Sequence, residues 1–138
     1  MKNNELMIHN YVSFDNFPVE ITNIGLTHIE GYLNKYDKPY RVRRNLGHIN
    51  PIPITEEVLA KNGFKREYDC ICEYTYYIRE IDGYFVEVKI GCSNMGDEYV
   101  NCHIDNCDRN SVANADIRYL HQLQNLLNIV GVEMKWKV

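Results

Sequence analysis

The chain has 138 residues and a mass of 16.3 kDa; 45% of its residues are apolar, 25% are charged, and the formal net charge is −4. These values are typical of one globular domain and exclude a disordered chain. An acidic chain is not expected to coat nucleic acid. No apolar run approaches the roughly 18 residues of a membrane span, and residues 1–20 contain no apolar signal-peptide core. We therefore expect a cytoplasmic protein that does not associate with a membrane.

The first fifty residues predict a small antiparallel β structure. Short strands are indicated at residues 7–14, 17–24, 28–33 and 40–44. Asp15 and Asn16 predict a turn between the first two strands. Four short strands in succession are typical of an SH3-like β-barrel or a curled sheet. Residues 1–50 are thus the first predicted subdomain.

Residues 51–138 predict an α+β subdomain that forms one compact unit with the first. Thr55 is a good N-cap for a short helix that ends at Asn62-Gly63. Strands follow at residues 68–79, 84–90 and 99–104, and Asp82-Gly83 predicts a hairpin between the first two. In the strand at 68–79, Tyr74, Tyr76 and Ile78 share one face, with Tyr77 as an exception.

A long helix is predicted after a polar loop at residues 105–114. Apolar residues at helical spacing run from Tyr119 to Val130, and Gly131 ends the helix. His121 falls on its polar side and is expected to be solvated. Alternating residues at 132–138 predict a final strand, so the order is β-β-β-α-β, with the helix packed on an antiparallel sheet. The predicted fold class is α+β.

The reactive side chains do not form a recognised catalytic motif. Five cysteines without an export signal predict reduced thiols, and their spacing is not that of a closed zinc site. Small buried hydrophobic side chains are the simplest role for them; the cysteines are Cys70, Cys72, Cys92, Cys102 and Cys107. Cys102 and His103 are neighbours on a strand and point to opposite faces. We expect no cofactor, no metal and no enzymatic activity. A thiol- or metal-dependent enzyme is the least favoured of the three functional hypotheses, after the two binding functions given below.

A cationic strand supplies the predicted ligand site. Arg41 and Arg43 share its outer face, Arg44 and His48 lie near them, and Tyr40 precedes them. Guanidinium groups bind phosphate in a bidentate manner. The alternative is that these cations neutralise the acidic half of the chain or are solvated.

Three stretches of sequence together carry a resemblance. They are NYVSFDNFPVEITNI at residues 10–24, INPIPITEEVLAKNGF at 49–64 and IRYLHQLQNLLNIVGVEM at 117–134. In this order they resemble a family of small uncharacterised proteins encoded by phages, prophages and mobile elements of Bacteroidetes. The resemblance implies an accessory protein in the cytoplasm of a bacterial host, and it lends no catalytic residue.

Short phage accessory proteins without enzyme motifs often act by binding. The first hypothesis is therefore a non-enzymatic anti-defence protein that sequesters a phosphate-bearing, nucleotide-like immune signal. The alternative is an adaptor that binds a host protein or nucleic acid. A homo-oligomer is a further hypothesis, because residues 132–138 resemble an edge strand.

Overall fold

The computed structural model describes residues 5–35, 38–92 and 94–138. Within them, two five-stranded antiparallel sheets and two helices form an α+β fold, which confirms the predicted class. The chain divides into two compact units. The first contains the described residues up to Pro53 and Tyr119–Asn125; the second contains Ile54–Arg118 and Leu126–Val138. Neither helix of the described residues has the length and apolar content needed to cross a membrane.

The first unit contains a five-stranded sheet with open edges. Its strands are β1 (Tyr11–Phe14), β2 (Phe17–Ile24), β3 (His28–Lys35), β4 (Lys38–Asn45) and β5 (Asn50–Pro51). Their spatial order is β4-β3-β2-β1-β5. Because β4 and β5 are edge strands in this order, the described strands do not form a closed barrel, which was one of the two predicted forms. Asp15 and Asn16 join β1 to β2 with φ of 47° and 66°, the left-handed pair that suits a two-residue hairpin turn.

Apolar residues of this sheet and of the segments next to its strands supply the core of the first unit. The buried members are Leu6, Val12, Val19, Ile21, Ile29, Leu33 and Ile49. Phe14, Phe17, Ile24, Val42 and Leu46 pack against them and remain partly exposed. Three of these partly exposed residues, Phe14, Phe17 and Val42, lie on β1, β2 and β4 and line the candidate site.

The helix α2 (Leu120–Val130) confirms the predicted long helix, and its first half is bound to the segment before β1. Gln124 accepts a hydrogen bond from Tyr11 N (2.9 Å) and donates one to His9 O (3.1 Å). Asn10 Nδ2 donates to Asn125 Oδ1 at 2.9 Å. The Gln124 side chain thus supplies hydrogen-bond partners to two backbone groups, Tyr11 N and His9 O, that pairing between strands leaves without one.

His121 is not solvated, contrary to the sequence prediction. Its side chain is 1% exposed, and neither ring nitrogen has a hydrogen-bond partner in the described part of the chain. The imidazole stacks on Tyr119 with ring centroids 5.9 Å apart. The buried face of the helix is wider than its apolar stripe, as the burial of Gln124 also shows. Desolvation lowers the pKa of His121.

The second unit contains the other sheet and the short helix α1 (Glu56–Lys61). Its strands are β6 (Lys65–Asp69), β7 (Tyr74–Ile81), β8 (Tyr84–Cys92), β9 (Glu98–Asp105) and β10 (Ser111–Ile117), in the order β10-β9-β8-β7-β6. Thr55 caps α1 as predicted: its Oγ1 accepts a hydrogen bond from Val58 N at 3.3 Å.

The predicted strand at residues 68–79 is divided by a turn. The carboxylate of Asp69 accepts hydrogen bonds from Ile71 N (2.9 Å) and Cys72 N (3.0 Å), which reverses the chain between β6 and β7. The covered face of β7 is also the opposite of the predicted one. Tyr77 and Ile81 are buried, whereas the face that carries Tyr74 is partly exposed.

Two further predictions for the second unit are wrong. The polar loop at residues 105–114 is shorter than predicted, because Asn106 closes a turn by accepting from Asp108 N and Asn110 N, each at 3.0 Å. The chain then enters β10 and pairs with β9. The predicted final strand at 132–138 alternates in burial, but it pairs with no strand in the described part of the chain.

Asn62 binds this unpaired segment to the end of α1. Its side chain is 3% exposed. Nδ2 donates to Val58 O and Lys137 O, both at 2.8 Å, and Oδ1 accepts from Lys137 N at 2.7 Å. The amide therefore satisfies both backbone groups of Lys137 in the manner of a neighbouring strand.

Replacement of Asn62 by alanine is expected to lower the free energy of unfolding by about 2 kcal/mol, because it removes three part-buried hydrogen bonds to the backbone of Val58 and Lys137. Urea denaturation measures the change. The control is Asn128→Ala, at an exposed position of α2, where we expect a change within about 0.5 kcal/mol. Equal stability of the two variants would contradict the role assigned to Asn62.

Candidate functional site

The five residues of the predicted ligand site lie on different surfaces of the first unit. Tyr40 and Arg44 alternate with Arg41 and Arg43 along β4, so the two pairs lie on opposite faces of the sheet. His48 is exposed in a short 3-10 turn, Leu46–His48, beyond the strand. The structure thus brings Tyr40 and Arg44 together and separates them from the other two arginines.

Arg41 and Arg43 have polar neighbours on their own face of the sheet. Arg41 Nη2 lies 3.9 Å from Glu30 Oε2, with 76% of the arginine side chain exposed. Arg43 donates a short hydrogen bond to His28 Nε2. Exposed pairs of this kind contribute little to stability, and each guanidinium remains largely hydrated.

The other face of β4 borders a pocket of about 440 Å³, a volume within the usual range for small-molecule sites. Its lining residues come from β1, the β1–β2 turn, β2, β3 and β4, and they are Phe14, Asp15, Phe17, Leu33, Tyr40, Val42 and Arg44. We call this the Arg44 pocket. Three aromatic rings and two aliphatic side chains make it mainly apolar, with one cation and one carboxylate.

Arg44 is the polar group of the pocket that lacks a full set of partners. Its guanidinium carbon lies 4.3 Å from the centroid of the Phe14 ring. Nη1 donates to Arg43 O at 2.9 Å, whereas Nε is buried and has no hydrogen-bond partner in the described residues. No carboxylate of those residues forms an ion pair with Arg44.

This arrangement is unfavourable unless something else binds there. A buried donor on a charged group costs free energy when it has no acceptor. An anion that enters the Arg44 pocket would supply both an acceptor and the opposite charge. The rings of Phe14 and Tyr40 would at the same time offer surface to a planar group.

A polar concavity of about 370 Å³ lies on the partly exposed face of the sheet in the second unit. It is lined by Tyr74, Glu87, Lys89, Asn101, His103 and Asp105. Most of these groups are already paired with one another. His103 Nε2 lies 2.7 Å from Asp105 Oδ1, and the Lys89 ammonium lies 4.0 Å from the centroid of the Tyr74 ring. Its polar groups therefore have less unmet hydrogen-bonding capacity than Arg44.

The cysteines do not provide a reactive centre with His103. Cys102 is fully buried, and desolvation together with the charge of Glu87 raises the pKa of its thiol to about 12. A thiol with such a pKa stays protonated at neutral pH. The other four cysteines are exposed, contrary to the prediction of buried side chains, and two of them, Cys70 and Cys72, lie in the turn after β6 and not on a strand.

No group of three or more metal-ligating side chains occurs within residues 5–35, 38–92 and 94–138. Comparisons of the chain with family models, with curated proteins and with solved structures find no match. The evidence that bears on function therefore comes from the Arg44 pocket.

Sequence reasoning selected Tyr40 and Arg44 but missed Phe14 and Phe17. These two phenylalanines flank the Asp15-Asn16 turn and form the closing pair of the β1–β2 hairpin. The turn signal predicts that pairing. It does not predict that β4 lies close enough for Arg44 to stack on Phe14, because β4 pairs with β3 and not with β1.

Proposed function

We propose that this chain is a non-enzymatic binding protein that sequesters a small, nucleotide-like molecule in the Arg44 pocket. The observation that carries the proposal is the buried Nε of Arg44, which has no partner in the described residues and lies beside the Phe14 ring. A free cationic donor in an apolar pocket favours an anionic ligand over a neutral one.

The aromatic lining favours a ligand that also has a planar ring. A base stacked on an aromatic side chain contributes about 1–3 kcal/mol to binding, and Phe14, Phe17 and Tyr40 are available within one pocket. A phosphate held by Arg44 and a base held by these rings would be the two ends of one small molecule. Asp15 at the same pocket disfavours a second anionic group close to the rings.

The resemblance to phage accessory proteins gives the ligand class to test first. Proteins of that origin that act by binding include some that sequester nucleotide signals of antiphage immunity. Cyclic oligonucleotides and ADP-ribose derivatives have both of the features that the pocket favours, a base and phosphate. An adaptor that binds a host protein or nucleic acid through Arg41 and Arg43 is the alternative.

Thermal-shift assays and calorimetry with cyclic dinucleotides, ADP-ribose and inorganic phosphate test the proposal. We expect at least one nucleotide to raise the melting temperature, because a ligand selective for the folded state stabilises it. Arg44→Gln is expected to weaken binding at least tenfold, since a hydrogen bond to a charged group is worth about 1.5–3 kcal/mol. Arg44→Lys keeps the charge but loses Nε, so its affinity should lie between that of the unmodified chain and that of Arg44→Gln.

The matched control is Arg41→Gln on the opposite face of β4, which should bind as the unmodified chain does. An equal loss of ligand affinity in Arg41→Gln and Arg44→Gln would contradict binding in the Arg44 pocket. Failure of every probe to stabilise the protein at millimolar concentration would overturn the proposed ligand class. Salt-sensitive binding to nucleic acid that Arg41→Ala and Arg43→Ala weaken would favour the adaptor instead.

A further inference from the structure

The segment at residues 132–138 has the burial pattern of a strand without the pairing of one. Val132 is buried, Met134 and Trp136 are half-buried, and Glu133, Lys135 and Lys137 are exposed. A period of two indicates an extended chain. No strand of the described residues pairs with it.

Within the described residues, the backbone of this segment is hydrogen-bonded at its two ends: Val132 N donates to Leu127 O at 2.9 Å, and Lys137 binds Asn62. The N–H and C=O groups of Lys137 both bind the Asn62 side chain. In an extended chain these groups alternate in direction from one residue to the next. The backbone groups of Met134 and Trp136 therefore point away from Asn62, and no hydrogen bond in the described part of the chain involves them.

We propose that a second copy of this chain pairs with this free edge, antiparallel and centred on Lys135. Met134 would then exchange two backbone hydrogen bonds with Trp136 of the second copy, and Trp136 with Met134. This register uses Met134 and Trp136, whose backbone groups have no hydrogen-bond partner among the residues that the structure describes. It also makes a two-fold symmetric interface, the commonest kind in homo-oligomers.

The side chains of the segment are complementary in the same register. Glu133 lies opposite Lys137 of the second copy, and symmetry forms this ion pair twice. Met134 lies opposite Trp136, and Val132 opposite Val138, which are favourable cross-strand pairs. The unfavourable pair in this register is Lys135 opposite Lys135 of the second copy, and both side chains are at exposed positions.

Neighbouring registers fit less well. A centre at Trp136 would place Lys135 opposite Lys137 twice, which like charges disfavour. A centre at Met134 would place Glu133 opposite Lys135, but it would shorten the paired segment from residues 132–138 to 132–136. The centre at Lys135 thus combines full length with opposite charges.

Sedimentation velocity over a range of protein concentrations tests the pairing through its charges. The unmodified chain is expected to dimerise, and Glu133→Lys should raise the dissociation constant at least tenfold. The double variant Glu133→Lys with Lys137→Glu exchanges the two charges and should restore the dimer. Glu73→Lys, an equal charge change in the exposed turn after β6, should leave dimerisation unchanged.

Disulfide trapping tests the register. In a background with serine at the exposed cysteines, which are Cys70, Cys72, Cys92 and Cys107, Lys135→Cys should form a disulfide between copies. Residues directly opposite at such a position have Cα atoms about 4.5 Å apart, which a disulfide can span. Met134→Cys, opposite Trp136, should not form one.

A chain that stays monomeric at hundreds of micromolar would overturn the inference. So would a dimer that Glu133→Lys does not weaken, or one that Glu73→Lys weakens equally. Cross-linking at Met134→Cys in place of Lys135→Cys would overturn the proposed register. Thermal melting of each variant separates loss of the dimer from loss of the fold.

Discussion

Substitution of Gly31 by alanine is expected to destabilise the first unit by about 3 kcal/mol or more, at the upper end of overpacking effects. A Cβ atom at Gly31 would collide with the carbonyl oxygen of Glu20 on the paired strand and would lie 2.9 Å from Val19 Cγ1. The backbone of β2 cannot withdraw easily, because its residues alternate into the buried core. Urea denaturation of the variant measures the loss.

The control for this prediction is Gly47→Ala. Gly47 lies in the exposed 3-10 turn, and the nearest atom to a Cβ there is Asn45 Oδ1 at 3.4 Å. We expect a change within about 0.5 kcal/mol. If Gly31→Ala is as stable as Gly47→Ala, β2 and β3 do not approach each other as closely as described.

Replacement of His121 by leucine is the second substitution with a large expected effect, and it should stabilise the protein. The imidazole is buried, and neither of its nitrogens has a hydrogen-bond partner among the described residues. An unsatisfied buried polar group costs about 1–3 kcal/mol. Leucine removes this cost at a similar volume. We expect a higher free energy of unfolding at pH 7.5, measured by denaturation.

The same variant should change how stability depends on pH. Burial lowers the pKa of His121 below its ordinary value of 6.5, and the charge of Glu5 opposes this only in part. At pH 7.5 the imidazole is neutral in both states. As the pH falls through 6.5, the unfolded chain takes up a proton that the folded chain does not, so stability decreases.

The difference in stability between His121→Leu and the unmodified chain should therefore grow from pH 7.5 to pH 5.5. Comparing the two proteins at each pH cancels the contributions of the other titrating groups. His48→Gln, at an exposed histidine, should follow the unmodified chain. A constant difference across this range would show that His121 does not stay neutral in the folded state.

Local signals in the sequence predicted the turns and helix ends well. Thr55 caps α1, Gly131 follows α2 with φ of 88°, and Asp82-Gly83 forms the hairpin between β7 and β8. Each of these features depends on the conformational preferences of a few adjacent residues. For that reason they can be predicted without knowing the tertiary structure.

Features that depend on distant partners were predicted less well. The pattern of β7 makes Tyr77 an exception, because tyrosine suits both a buried and a half-exposed face and so does not show which face is covered. The pattern does not predict β6 and β10, because side-chain hydrogen bonds of Asp69 and Asn106 close tight turns inside stretches that it assigns to a single strand and to a single loop. His121 shows the same limit for a helix, since a helical wheel does not show how much of the helix is covered.

The candidate site was predicted in the same partial way. The two-residue period of β4 separates Arg41 and Arg43 from Tyr40, and the structure keeps that alternation. Nearness in sequence groups Arg44 with the outer arginines, whereas its position in the alternation places it with Tyr40. The phenylalanines that complete the pocket come from the β1–β2 hairpin, which no local pattern links to β4.

The hydrogen bonds between Asn10 and Asn125, and between Gln124 and the backbone at Tyr11, join residues more than a hundred positions apart. A ribosome adds about 5–20 residues each second, so several seconds separate the synthesis of the two partners. During that interval residues Ile54–Arg118, most of the second unit, emerge while the backbone at His9 and Tyr11 still lacks its amide partners. The unit whose strands are translated first is therefore the one that must wait for α2 before it can finish folding.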